Sequence, residues 1–189
     1  PGVHFAQGDN GVWTVTSLSD PGNGVCDDAE CTLREAIAAA STGASIVFAP
    51  GLQGDVDLTV GQLQVLGKDL RIDGDGRIRV DAQRASRVLS LAGLGPAMGV
   101  TLKGITLTNG LTAGNGAGLI ISDADAVLDH VVVSNNESSA GDGGGRCAHH
   151  WCFGGPDGAR APRWKIDSQG KRACPRQFTG CWCERAGRD

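Results

Sequence analysis

A chain of 189 residues has the length of one ordinary domain. Its seven cysteines, 30 glycines and lack of Tyr tell more than its net charge of −4, which hides a split: residues 1–145 carry −9 and residues 146–189 carry +5. No window of 18 or more apolar residues occurs, which excludes a membrane-spanning helix.

The sequence opens at Pro1 with no Met and no signal-like apolar segment, so it reads as a fragment or processed form whose leader would lie outside it. The first element is an alternating strand over 11–18, with Val12, Thr14 and Thr16 on one face and Trp13 and Val15 on the other. The polar turn Asp20-Pro-Gly-Asn-Gly24 ends it. Cys26-Asp-Asp-Ala-Glu-Cys31 follows, then Thr32-Leu-Arg-Glu-Ala-Ile-Ala-Ala-Ala40. Thr32 with Glu35 is a capping box: the hydroxyl and the carboxylate each take up an otherwise unpaired backbone N–H. Leu33, Ile37 and Ala40 fall on one stripe of a short amphipathic helix, which Gly43 stops.

From Ala44 onward only short strands follow, separated by Gly, Asp and Asn: Ile46–Phe48, Val56–Thr59, Leu63–Leu66, Leu70–Ile72, Ile78–Val80, Val88–Leu91, Val100–Leu102, Ile105–Leu107, Leu119–Ile121 and Val131–Val133. Without crossover helices they cannot make a doubly wound sheet; a β-sandwich would also use many short strands. A repeat decides between the two. Thr101–Asn109 recurs 26 positions later as Val127–Asn135, pairing Leu102 with Leu128, Ile105 with Val131, Leu107 with Val133 and Asn109 with Asn135. A fixed period of this size marks a solenoid whose units bury their apolar faces by stacking. The fold expected is therefore all-β: a right-handed parallel β-helix with a short N-terminal capping helix over its open edge. Asn109 and Asn135 are expected to stack as an amide ladder. At a strand spacing of about 4.8 Å, residues 46–137 would supply about four coils.

Cys31-Thr-Leu-Arg-Glu-Ala-Ile37, preceded by Cys26 and an upstream strand, resembles the N-terminal segment of bacterial surface and secreted parallel β-helix proteins, the CSLREA domain. Thr32 stands where the motif has Ser, a swap that capping tolerates. Ile46-Val-Phe-Ala-Pro50 and the Ile-Thr-Leu-Thr-Asn-Gly coil are similar too, so the resemblance covers roughly residues 11–145. Such coils also occur in polymorphic outer-membrane proteins and polysaccharide lyases. The resemblance implies an extracellular or cell-surface location, associated with the outer membrane, and an adhesive role with no catalytic residues to carry over. On that extracellular inference Cys26 and Cys31 are expected to form a structural disulfide that orders the loop before the helix.

The organisation expected is a strand and helical cap over 1–43, β-helix coils over 44–145 and a tail over 146–189. The tail contains no Val or Leu, one Ile (Ile166), five cysteines and three tryptophans, and is expected to be irregular. Three readings of it compete: out-of-frame translation, a Cys/His zinc module built from Cys147, His149, His150, Cys152, Cys174, Cys181 and Cys183, and a basic interaction tail. No module motif supports a nucleic-acid partner.

In the body, Asp73-Gly-Asp75-Gly76 with Asp81 faintly resembles a calcium loop, but it lacks an EF-hand's further acids and reads as a turn between Ile72 and Ile78. Asp123, Asp125 and Asp129 read as solvated surface. Arg71, Arg77 and Arg79 with Asp73 and Asp81 could line a carbohydrate-active face or simply balance one another. His130, at the repeat position of Gly104, reads as an exposed bend residue. No catalytic constellation and no cofactor are assigned, calcium being the one ion considered. The function expected is a non-enzymatic stalk or adhesin presenting its flank to an extracellular polysaccharide or a cell-surface protein. The alternative is a polysaccharide lyase or glycoside hydrolase whose active coils lie elsewhere in a longer protein.

Overall fold

The computed structural model describes residues 11–93 and 99–138 in full and, for 150–153, 159–161 and 164–166, the path of the backbone. Strand β1 (Val12–Val15) leads through helix α1 (Leu33–Ala39) into β2 (Ala44–Phe48), β3 (Gly54–Asp57) and β4 (Leu63–Leu66). The next turn is β5 (Leu70–Asp81) and β6 (Leu89–Ala92), and the one after is β7 (Gly99–Thr108), β8 (Leu111–Thr112) and β9 (Leu119–Ser122). A further passage begins with β10 (Asp125–Asp129), β11 (Val131–Ser134) and β12 (Glu137–Ser138). All pairings among these strands are parallel. They stack as a β-solenoid of about three turns, one fewer than the strand spacing suggests. Among the described residues, the last passage adds β10 and β11 to two faces and no parallel strand to the third.

Each turn crosses three faces, and inward residues stand in register from turn to turn. Ile46, Ile72, Leu102 and Leu128 form one ladder, and Val56, Val80, Leu107 and Val133 a second. Val65, Leu91 and Ile121 form a third. All are buried in one continuous core. Burying each such side chain contributes roughly 1.5–3 kcal/mol, so the stack, rather than any single coil, holds the fold. The period-two alternation of the sequence is the direct cause, because successive side chains of a strand point to opposite faces.

The corners explain residues that alternation alone leaves obscure. β5 runs through the Asp73–Ile78 segment with a register shift, and Asp75 (φ 52) and Gly76 (φ 72) turn the corner in the left-handed region. Gly104 (φ 55) and His130 (φ 53) have the same backbone conformation in the next two turns. His130 therefore replaces a glycine at a position suited to glycine, a strain of about 1–2 kcal/mol that its neighbours must hold in place. The helix ends at Ala39, with Ala40 already extended, before Gly43 is reached.

The tail departs from the expected irregularity at three places. Strands β13 (His150–Phe153), β14 (Ala159–Ala161) and β15 (Trp164–Ile166) pair antiparallel with β9, β11 and β10. The backbone thus visits the three faces in reverse order and lines the edge that an irregular tail would leave bare. Low apolar content hid this, because strand pairing is satisfied by backbone N–H and C=O groups whatever the side chain. The side chains weighed as zinc ligands in the tail lie outside the described residues.

Candidate functional site: the cap clamp and the charged flank

The cap shows what each residue of Cys31–Ala36 does. Cys31 is joined to Cys26 by a disulfide. Its backbone N–H donates to Thr16 Oγ1 at 2.9 Å, and its carbonyl accepts from Thr16 and Ser17. Thr32 caps α1, accepting from the Glu35 N–H while the Glu35 carboxylate accepts from the Thr32 N–H at 2.8 Å. Glu35 reaches further than a capping box requires: its Oε1 also accepts from the Gly24 N–H at 2.5 Å. Leu33, Ala36, Ile37 and Ala40 are buried, and α1 lies against β1, β2 and β4.

Arg34 turns outward from that apolar stripe and clamps the cap to the first turn. Its Nε and Nη2 donate to the two oxygens of Asp20 at 2.6 and 3.0 Å. Its Nη1 and Nη2 donate to the carbonyls of Gln62 and Gly61 at 3.0 and 2.7 Å. Asp20 has 1% of its side chain exposed and also accepts from the Thr59 N–H. Burial pushes its carboxyl up, but the Arg34 guanidinium and the Thr59 N–H outweigh that and hold it below its ordinary value of 3.8.

At the other end of α1, where the helix itself has no basic residue, Lys68 Nζ donates to the carbonyls of Ile37, Ala38 and Ala40 at 2.9, 3.3 and 2.9 Å. A cation there meets carbonyls the helix leaves unpaired and the negative end of its dipole. Lys68→Met keeps the stem and removes the charge, and is expected to lower unfolding free energy by about 1–2 kcal/mol in urea titrations. An unchanged midpoint would show that water replaces the ammonium without loss.

The flank is built from outward side chains of successive turns. Asp55 on β3 is paired bidentately by Arg79 on β5, an ion pair that, with Asp81 and Asp57 nearby, raises the guanidinium pKa. Asp73 accepts from Lys103 of the next turn at 3.0 Å and from Arg71 at 3.1 Å. Burial opposes ionisation of Asp73, but Lys103, the Asp75 N–H and Arg71 hold its carboxyl below the ordinary value. Arg77 pairs with Asp75, and Arg84 spans to Glu137. Asp57 accepts from Gln83 Nε2, and the buried Asp81 accepts from Asn109 Nδ2 at 2.7 Å. Exposed pairs of this kind contribute about 0–1 kcal/mol each, so their joint effect is mainly to fix the flank's outline.

Asn109 (φ 55) and Asn135 (φ 56) hold the same left-handed corner in adjacent turns, but the Asn109 amide bonds Asp81 instead of Asn135. The buried amide is Asn136, one residue further on. Its Oδ1 accepts from the Gly110 N–H at 2.6 Å, and its Nδ2 donates to the Leu107 carbonyl at 3.2 Å. A Cβ on Gly110 would lie 2.1 Å from the Ala117 carbonyl oxygen, and one on Gly118 would lie 2.5 Å from Asn136 Nδ2. Gly110→Ala is therefore expected to cost at least about 2 kcal/mol in thermal or urea unfolding, since the clash is with backbone. A neutral result would mean the corner can open.

Among the described residues no three His, Cys, Asp or Glu side chains come together to hold a metal ion. Asp73, Asp75 and Asp81 each go to a separate partner, and His130, three-quarters exposed, has its Nδ1 2.6 Å from Asp129 Oδ1. The sequence brought Thr32, Glu35 and the two cysteines into view, but not the partners of Arg34, nor Lys68, nor Asn136. The acidic Asp20 in the polar turn and the basic Arg34, 14 residues on, were the signal for the first. No family model matches the chain, and no curated protein and no solved structure matches it either.

Proposed function

We propose that this chain is the capped end of a non-enzymatic, secreted or cell-surface β-helix protein, a stalk or adhesin that presents its flank to an extracellular polysaccharide or surface protein. The observation that carries this reading is the pairing of flank charges between turns: Asp55 with Arg79, Asp73 with Lys103 and Arg84 with Glu137. A hydrolytic site needs one carboxyl held protonated and a second poised across a gap. Here Asp55 and Asp73 are tied to Arg79 and Lys103 of the neighbouring turn, which suits a strut with a patterned surface. The Cys26–Cys31 disulfide in the cap suits an oxidising compartment, and bacterial export and surface attachment follow from that reading.

The test pairs binding with turnover. Purified chain is mixed with insoluble polygalacturonate and other polyuronates, with and without calcium, while retention and release of unsaturated uronate are followed together. Retention, or attachment to cell surfaces, without product release is expected. Uronate release would overturn the reading in favour of a lyase, and protection from protease added to intact cells would overturn the surface location.

A further inference from the structure

We propose that Asn23–Gly24, in the loop beneath the cap helix, is a site of self-modification: it closes to a succinimide and opens to aspartate or isoaspartate, with the Glu35 carboxylate taking the amide proton. Two bonds that meet on this dipeptide carry the inference. The Gly24 N–H donates to Glu35 Oε1 at 2.5 Å, which places a proton acceptor on the nitrogen that must become the nucleophile. The Asn23 side-chain carbonyl accepts from the Val25 N–H at 2.8 Å, folding the amide back over the following peptide and supplying a donor to the oxygen that gains charge during attack. Gly24 (φ 92) has no atom outside its chain neighbours within 4 Å of where a Cβ would stand, so the space beside its Cα is open.

The step balances without any oxidant. The Gly24 nitrogen bonds to Cγ of Asn23 as its proton passes to Glu35, and the bond from Cγ to the side-chain nitrogen then breaks. Glu35 returns the proton to the departing group, which leaves as ammonia. Water then opens the ring at either carbonyl.

The other described Asn–Gly pairs are held differently. At Asn109–Gly110 the backbone N–H is bonded to the Asn136 amide oxygen, which is no base, and the peptide is packed against the Ala117 carbonyl. At Asn115–Gly116 Arg87 holds both carbonyls at 2.7 and 2.8 Å, and Gly116 abuts the Leu119 carbonyl. The modification has a structural consequence as well. Isoaspartate adds a methylene to the main chain, in a loop where a Cβ on Gly22 would already lie 2.5 Å from Glu35 Oε1. The Gly24–Glu35 bond cannot survive that change, so the modified cap is looser.

The folded full-length chain is aged at mildly alkaline pH, and peptide mapping follows the amide-to-acid mass change at each Asn–Gly, with enzymatic methylation marking isoaspartate. Asn23 is expected to convert on the order of tenfold faster than Asn109 and Asn115, with that ranking collapsing in denaturant. Glu35→Gln, which keeps one oxygen for the Gly24 N–H but turns an NH2 group toward the Thr32 N–H and is no base, is expected to slow Asn23 by a similar factor. Thr32→Ala, which weakens the cap but keeps the carboxylate, controls for loosening and is expected to leave Asn23 ahead. Equal or slower conversion at Asn23 in the unmodified folded chain, or a rate unmoved by Glu35→Gln, overturns the proposal.

Discussion

Arg34→Ala is expected to lower the unfolding free energy by about 3–5 kcal/mol, read from urea midpoints at neutral pH. The substitution leaves the Asp20 carboxylate buried with the Thr59 N–H but no counter-charge, and frees the Gly61 and Gln62 carbonyls that the guanidinium had bound. Arg34→Lys is expected to recover only part of the loss, since an ammonium cannot reproduce the two-pronged contact while also reaching two carbonyls. The pH dependence supplies a second readout. The folded-state pKa of Asp20 is lowered, so its contribution is complete above the unfolded value near 3.8 and is lost as pH falls through the folded value. Stability of the wild type should therefore decline below that range, and the decline should shrink in Arg34→Ala. An Arg34→Ala protein with an unchanged midpoint and the same acid limb would show that Arg34 does not anchor the cap.

Asn136→Ala should come close to that loss while Asn135→Ala should not. The Asn136 amide satisfies two buried backbone groups, the Gly110 N–H and the Leu107 carbonyl, and Gly118 packs against the same side chain. Leaving both unsatisfied costs about 1–3 kcal/mol each. Asn135 is exposed and contributes mainly its tolerance of φ 56, so Ala there should cost about 1 kcal/mol. Thermal unfolding of the two variants side by side separates them. Equal losses would return the structural weight to the corner residue.

Legibility in the sequence followed the range of each interaction. Alternation at Ile46, Ile72 and Leu102 reports a residue's own face, and the capping box at Thr32 and Glu35 spans a single helical turn. Both were visible without coordinates, as was the disulfide between cysteines five positions apart. The 26-residue recurrence revealed stacking, and the register confirms that Leu102 and Leu128 are neighbours in adjacent parallel strands. Contacts between turns were obscure where residue type did not recur. Lys68 meets helix carbonyls about thirty residues upstream, and neither its neighbours nor its repeat equivalents carry the same charge. The Asn corner misled by one position because Asn135 and Asn136 are adjacent, and only burial tells the turn former from the hydrogen-bonding amide. The reverse-running strands His150–Phe153, Ala159–Ala161 and Trp164–Ile166 are too short, and too isolated in a tail without Val or Leu, for their few apolar residues to mark them.

The clamp also imposes an order of events. Beyond Asp20, which precedes α1, the grips on it come from Gly61, Gln62 and Lys68, all synthesised after the helix they hold. A polypeptide threaded through a narrow conduit with its leading end first would keep that helix tethered on one side only until position 68 had cleared the exit. Completion of the lid thus signals that the first circuit of the solenoid has arrived, and later circuits then add to a platform that is already closed.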